Sequence, residues 1–315
     1  MMVNVALIGT WHVHFSGYAN AVAANPNCKI TVLWDPDEAA GRKAAEKYAC
    51  DYEPDYEKVL ARADVDAVMV CSSTDQHKAL ITRAAQAGKH IFTEKVLCFT
   101  KKDALEVADA VKKSGVKFCI SYPWRSRSDF LWIKSALDEK LIGEVNYLRM
   151  RNAHNGTVAG WLPQTFYDPK TCGGGAMMDL GAHSMYFIHW LMGDPVSCAS
   201  AFTNVRVSSV EDNAVSVFTY PNGAIAVSET AFVAQNNPFE LEIVGDKGTI
   251  LAGGVFDRLC YNVGDGWVFP NLPKRRPEPI DMWMDALVNG GDIPYTIDDA
   301  VALSYMMELA YGNRI

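Results

Sequence analysis

Apolar runs in this chain are short. None reaches the roughly 18 residues that a helix needs to cross a bilayer, so the sequence offers no membrane span. Cysteine-pair motifs are missing as well. The eight cysteines, at positions 28, 50, 71, 98, 119, 172, 198 and 260, include no Cys-x-x-Cys. That removes the usual thiolate-zinc and dithiol redox patterns, and the scatter of the thiols over so long a chain does not read as a disulfide framework. Cys71 and Cys119 lie in apolar, strand-like runs, where cysteine behaves as a small hydrophobe. Free thiols and a reducing, cytoplasmic setting are expected. Positive charge is also scarce: 29 basic residues face 37 acidic ones, for a net charge of -8 and a pI of about 5.4. Such a surface has no general attraction for nucleic acid or an anionic membrane. The one dense basic cluster, Lys274-Arg275-Arg276, sits between Pro273 and Pro277 and reads as a solvated loop. The opening MMVNVALIG has neither a basic n-region nor a cleavage site, so no secretion leader is expected and Asn155-Gly156-Thr157 carries no weight as a glycosylation acceptor.

What is present is a globular composition, 49% apolar and 21% charged over 315 residues, enough for two domains. Up to about residue 122, short apolar strands alternate with amphipathic helices. Strands are expected at Val3–Ile8, Lys29–Trp34, Ala67–Cys71, His90–Phe92 and Val116–Ile120. Helices are expected at Ser16–Ala24, Glu38–Tyr48, Gln76–Ala87 and Lys101–Ser114. This alternation predicts an α/β Rossmann-type domain over residues 1–122, with a doubly wound parallel sheet. After Tyr122-Pro123 the pattern changes. A helix near Phe130–Glu139 precedes longer strands at Glu144–Asn152, Val196–Val207, Ala214–Tyr220, Ala224–Phe232 and Phe239–Val244, with Asn222-Gly223 as a hairpin turn and helices at Asp281–Asn289 and Ile297–Tyr311. Residues 123–315 therefore read as an α+β domain with a large, mainly antiparallel sheet. A helix-free face of that sheet would need covering, so a homodimer or homotetramer is expected.

In a parallel sheet, ligands bind beyond the carboxyl ends of the strands. The turn after the first strand is Gly9-Thr10-Trp11-His12-Val13-His14. It keeps the first glycine of a dinucleotide fingerprint but has Trp11 and His14 in place of the other two. Backbone N–H groups at the start of the next helix can still face a pyrophosphate. His12 and His14 suit contact with cofactor or substrate, or a helix cap, better than a metal, and no metal is expected. Asp35, at the end of the second strand, is placed to accept hydrogen bonds from an adenosine ribose and to repel a 2′-phosphate, favouring NAD over NADP. Ser72, Ser73, Thr74 and His77 follow the third strand, and Glu94 and Lys95 the fourth. Small polar residues there suit the nicotinamide half.

The run Gly173 to His183, GGGAMMDLGAH, places Asp179 and His183 four residues apart, on one face if the segment is α-helical. A carboxylate beside an imidazole can orient it for acid/base work. Arg125, Asn152, His154, Trp161, Tyr167 and Asp168 are candidate substrate contacts: the two aromatic side chains could stack on a sugar face, and the polar ones could bond its hydroxyls.

Together these residues resemble the glucose-fructose oxidoreductase / inositol dehydrogenase / rhizopine-catabolism (Gfo/Idh/MocA) family of NAD(P)-dependent dehydrogenases. The resemblance rests on an ordered set: Ala24-Asn25-Pro26, Asp35-Pro36-Asp37, Ser72-Ser73-Thr74 with His77, Ala87-Gly88-Lys89-His90 leading to Glu94-Lys95, Arg125, Leu141-Ile142-Gly143-Glu144-Val145, the glycine-rich run, and Gly245-Asp246-Lys247-Gly248. It implies Lys95, Asp179 and His183 as the catalytic set. Either Lys95 or His183 can be the proton acceptor; the preferred reading has His183 as general base, Asp179 orienting it and Lys95 polarising the substrate oxygen. It departs from the family at the glycine fingerprint, at Val96 where the family has proline, and at Tyr186 where many members have Asp. The implied activity is hydride transfer between NAD and a secondary hydroxyl of a sugar, cyclitol or related polyol. NAD-dependent glycoside cleavage through transient oxidation is the alternative. A sugar or dinucleotide sensor ranks last, because it would be expected to lose the Lys/Asp/His set.

Overall fold

The computed structural model describes residues 2–236 and 239–314; the outer limits expected for the two domains, residues 1 and 315, lie outside that range. The described chain forms two compact units. One combines Met1–Tyr122 with Pro277–Ser304, and the other combines Pro123–Arg276 with Tyr305–Ile315.

In the first unit, strands β1 (Val3–Ile8), β2 (Cys28–Trp34), β3 (Asp51–Tyr52), β4 (Ala67–Val70), β5 (His90–Thr93) and β6 (Phe118–Ile120) form one parallel sheet in the order β3-β2-β1-β4-β5-β6. The intervening helices are α1 (Phe15–Ala24), α2 (Glu38–Lys47), α3 (Tyr56–Ala61), α4 (Thr74–Gln86) and α5 (Lys101–Ser114). The strands are buried almost throughout, as parallel strands covered on both faces must be. The order 3-2-1-4-5-6 is that of a dinucleotide-binding Rossmann fold, with its switch point between β1 and β4. The short β3 and α3 had no clear pattern in the sequence. Local chemistry ends the helices: Asp37 and Thr100 accept main-chain N–H bonds at the starts of α2 and α5, and Gly115 closes α5 in the left-handed conformation.

The second unit contains α6 (Ser128–Asp138), β7 (Val145–Ala153), the short helices α7 (Gly156–Ala159) and α8 (Pro169–Cys172), and α9 (Ala182–Met192). It then continues through β8 (Ser197–Thr203), β9 (Asn213–Thr219), β10 (Ile225–Ala231), β11 (Glu240–Gly245), β12 (Thr249–Gly253) and β13 (Arg258–Asn262). The seven strands run in the order β13-β12-β11-β7-β10-β9-β8, antiparallel except for β7 against β10. Leu148, Met150, Ala226, Phe218, Leu241 and Ile243 point to the buried face, against which α9 packs. The alternate residues leave an open face. There Arg149 pairs with Glu229 at 2.6 Å and Arg151 with Glu240 at 2.7 Å, among the half-buried Val215, Val217 and Val227. Two of the motifs named above meet in this unit. The Gly245–Gly248 turn docks on 142–144 through Asp246 N–H to Glu144 O and Lys247 N–H to Ile142 O, and a Cβ at Gly143 would lie 1.7 Å from Asp246 Oδ1.

The closing segment departs from the expected two-part division. Helix α10 (Pro279–Asn289) and the first half of α11 (Ile297–Gly312) belong to the first unit, not the second. The reason is the apolar face of α10. Ile280, Trp283, Met284 and Leu287 are buried, and the Trp283 ring lies 5.7 Å from Phe92 of β5. The main chain of Tyr295 also accepts the N–H of Ile120 at the sheet edge.

Candidate active site

In the first unit, the strand ends expected to bind cofactor converge on the switch point. Gly9 has φ +79°, and a Cβ there would lie 2.7 Å from Ser72 Cα, so only glycine lets the turns after β1 and β4 touch. Thr10 donates twice to Asp35 Oδ2, from its main-chain N–H and its hydroxyl, both at 2.7 Å, and the Asp37 N–H reaches Oδ1 at 2.8 Å. Asp35 thereby fixes the turn after β1 to the end of β2. His12 N–H bonds the carbonyl of Cys71, tying Trp11 and His12 to β4. A glycine cradle, a buried carboxylate at the second strand end and a helix start beyond the turn together fit a dinucleotide.

His77 is buried, with Nδ1 3.0 Å from the carbonyl of Val96 and Nε2 3.2 Å from that of Ser72. It braces the loop after β4 against the segment that follows Lys95. Burial holds this imidazole below the ordinary histidine range, against the pull of both carbonyls. His90 and His154 shift the same way, with burial again the leading cause. A depressed folded value means that the stability is present above the ordinary value, about 6.5, and is lost as pH falls toward the folded value. Acidification from about pH 7.5 to about pH 5.5 is therefore expected to lower the urea midpoint. His77→Gln should reduce the pH dependence, and a midpoint that rises on acidification would contradict this account.

Glu94 is the hub of this unit. Its Oε1 accepts from His14 Nδ1 at 2.7 Å and from the Tyr18 hydroxyl, and its Oε2 accepts the N–H of Lys95 at 2.8 Å. Burial alone would raise this carboxyl, but His12, His14 and Lys95 outweigh it and hold the group well below the usual carboxylate range. His12, His14 and Glu94 each offer a ligand atom, all within 4.8 Å of one another, a grouping of metal-binding size. Three of their atoms carry hydrogen bonds within the group or nearby: His12 Nδ1 accepts the N–H of His14, and Oε1 of Glu94 accepts from His14 Nδ1 and the Tyr18 hydroxyl. The Lys95–Val96 peptide is cis, and Lys95 is 5% exposed.

In the second unit the glycine-rich run does not continue as a plain α-helix. Met177–Gly181 is a π-helical turn leading into α9, so the one-face geometry expected of Asp179 and His183 is altered by the wider turn. Long-range contacts hold the glycines that lead into it. Glu211, 6% exposed, accepts the N–H groups of Gly175 and Met177 at 2.9 and 3.0 Å and the Tyr311 hydroxyl at 2.6 Å. A Cβ on Gly174 would lie 2.0 Å from Tyr311 Oη, and one on Gly175 2.0 Å from Glu211 O. The glycines are thus required by close approach to Glu211 and Tyr311. The ring of His183 stacks on Trp124, with centroids 4.8 Å apart and planes at 21°, and its Nδ1 lies 3.1 Å from the Tyr186 hydroxyl.

Residue 3–122 of this chain match the model of an oxidoreductase family with an NAD-binding Rossmann fold, and 130–251 match the GFO/IDH/MocA C-terminal domain. The chain belongs to the Gfo/Idh/MocA family. Among its relatives, an inositol 2-dehydrogenase of Rhizobium meliloti is 24% identical over 98% of this chain and 96% of its own. The oxidoreductase YrbE of Bacillus subtilis is 29% identical over 80% of this chain and 72% of its own. A levoglucosan dehydrogenase, solved with NADH and levoglucosan, superposes with a TM-score of 0.84 at 19% identity, covering 99% of this chain and 97% of that one. This Gfo/Idh/MocA protein is thus an oxidoreductase with an NAD-binding domain.

The expected substrate contacts in this Gfo/Idh/MocA chain have structural work that the sequence did not show. Asn152 donates to Leu180 O at 3.2 Å, supporting the π turn. Asp168 caps α8, accepting from the N–H of Lys170 and the hydroxyl of Thr171. Tyr167 bonds the Thr157 hydroxyl at 2.9 Å. His154 stacks on Phe232 and accepts the N–H of Gly156. Trp161 is 56% exposed and lies 4.6 Å from the His154 ring. Arg125 is buried, with its guanidinium 4.7 Å from the Trp190 ring centre. Glu211 was missed, because a lone acidic residue between strands carries no spacing signal; three glycines in a row were the visible trace of it.

Proposed function

We propose that this protein is an NAD-dependent dehydrogenase that interconverts a secondary hydroxyl and a ketone on a sugar, cyclitol or related polyol. The observation that carries the reading is the presence of Lys95, Asp179 and His183 together in a Gfo/Idh/MocA chain, with Lys95 and His183 both buried. NAD supplies the hydride acceptor. Gly9, Thr10, Trp11, His12 and the Ser72–Thr74 turn would hold it, with Asp35 at the adenosine ribose. Lys95 and His183 form the acid/base pair on the reacting oxygen: one takes the hydroxyl proton while the other donates a hydrogen bond to the same atom. Asp179 is proposed to orient His183. Trp161, Tyr167 and Arg125 are proposed for the sugar.

A screen of sugars, cyclitols and sugar acids for NADH fluorescence tests this. NADH formation with at least one polyol is expected. Turnover that leaves NAD unchanged overall would replace the reading with glycoside cleavage through transient oxidation. Asp35 should make NAD bind better than NADP, and Asp35→Ser should weaken NAD by about tenfold or more while raising relative NADP affinity; fluorescence titration measures both. A wild type that prefers NADP would remove the role given to Asp35. We also propose that the protein acts in the cytoplasm, the setting that its eight free cysteines suit, and that the open face of the seven-stranded sheet pairs copies of the chain. Light scattering should give a dimer or tetramer that Val217→Glu dissociates; a wild-type monomer would end that proposal.

A further inference from the structure

Tyr186 stands one turn after His183 on α9. Both residues are buried, at 2% and 8% exposure. The phenol oxygen lies 3.1 Å from His183 Nδ1 and accepts the main-chain N–H of Trp124 at 3.2 Å. The Trp124 ring stacks on the imidazole, so plane and azimuth of His183 are set by one neighbour and its Nδ1 partner by the other. An Asp at this position could only accept, which would place the hydrogen on Nδ1 and leave Nε2 as a base. A phenol is a good donor and a modest acceptor, whereas an unprotonated imidazole nitrogen is a good acceptor. The stronger pairing is therefore Oη–H to Nδ1. The Trp124 N–H arriving at Oη polarises the phenol in the same direction, because chained hydrogen bonds reinforce one another.

We infer that Tyr186 is a positioning residue that donates to His183 Nδ1 and so keeps the hydrogen of the neutral imidazole on Nε2. This deepens the dehydrogenase reading, on which its catalytic consequence rests. His183 then meets the substrate oxygen as a hydrogen-bond donor, and the proton-accepting role passes to Lys95. In the oxidation direction the substrate O–H bond breaks and its proton forms an N–H bond at Lys95 Nζ. NAD, when held by the first unit, would accept the C–H electron pair as hydride, and the carbonyl oxygen would keep the Nε2–H bond.

The tautomer can be read directly by two-bond nitrogen–proton NMR on the 15N-histidine-labelled full chain at about pH 8, above the ordinary histidine range, with the His183 signals assigned by their loss in His183→Gln. A pyrrole-type Nε2 with a hydrogen-bonded pyridine-type Nδ1 is expected in the wild type. Tyr186→Phe should release Nδ1 to a mixed tautomer, and Tyr186→Asp should move the hydrogen to Nδ1. A wild type with the hydrogen on Nδ1 overturns the inference, as does an Nε2–H tautomer that Tyr186→Phe leaves unchanged; neither result touches the dehydrogenase reading. Conversely, the expected tautomer in a protein that oxidises no polyol would leave the Tyr186 assignment standing and remove that reading. With an identified substrate, Tyr186→Phe is expected to lower kcat several-fold with little change in KM. His183→Gln, which keeps a donor and is not basic, should retain more turnover than Lys95→Ala; the reverse order overturns the division of roles.

Discussion

Lys95→Ala is expected to lower kcat/KM for the identified polyol by about 10²–10⁴-fold, the usual worth of a positioned proton-transfer group, while NADH still binds. Two observations argue for so large an effect. Lys95 is almost fully buried, so water cannot readily replace its ammonium or amine. Its main chain is also held by the Glu94 carboxylate, so the backbone from which the side chain extends is fixed. Stopped-flow or steady-state NADH formation, compared with NADH binding by fluorescence, separates chemistry from cofactor loss. Turnover within several-fold of wild type would remove Lys95 from the catalytic set. Loss of NADH binding in the variant would mean that the residue serves the cofactor.

Gly175→Ala should show the second large effect, this time through the backbone. The added methyl would sit 2.0 Å from Glu211 O, a main-chain atom that cannot rotate away. Either the Gly173–Ala176 segment or the 210–212 loop has to move. Overpacking of this kind costs about 1–3 kcal/mol, and the movement is transmitted to the π turn that carries Asp179 and to the start of α9 with His183. The expected outcome is a lower melting temperature together with a fall in kcat, with NADH affinity unchanged because the residues proposed to bind it lie in the first unit. A variant with wild-type stability and wild-type turnover would show that the close contact is dispensable.

Much of the fold was legible because strand and helix periods differ so clearly. The alternation through residue 122 predicted the parallel sheet, and Asn222-Gly223 marked the β9–β10 hairpin, where Gly223 takes φ +84°. Other features left no trace of that kind. Thr249–Gly253 and Arg258–Asn262 are short strands, and their place in the sheet comes from register, the first against β11 and the second against the first. The apolar face of α10 was visible in Ile280, Trp283, Met284 and Leu287, but periodicity says only that a face is buried and not which core receives it. At the site, spacing singled out Asp179 and His183. Spacing cannot distinguish an α turn from a π turn, and the Glu211 and Tyr311 contacts beside this one come from more than 30 residues away in sequence. His77, Asn152 and Asp168 have polar side chains engaged with their own chain, and a polar residue type does not show whether its partner is a ligand or a backbone.

The return of Pro277–Ser304 to the first unit bears on how such chains can be recombined. A graft cut at Tyr122-Pro123 would appear modular, since the strand and helix texture changes there. Yet the N-terminal piece would arrive without Trp283, leaving the ring of Phe92 and the edge at Ile120 uncovered. Exchange of the nucleotide module with a relative therefore has to carry two separate stretches of chain, and a gene fusion joined at one point would carry a mismatched lid from the other parent.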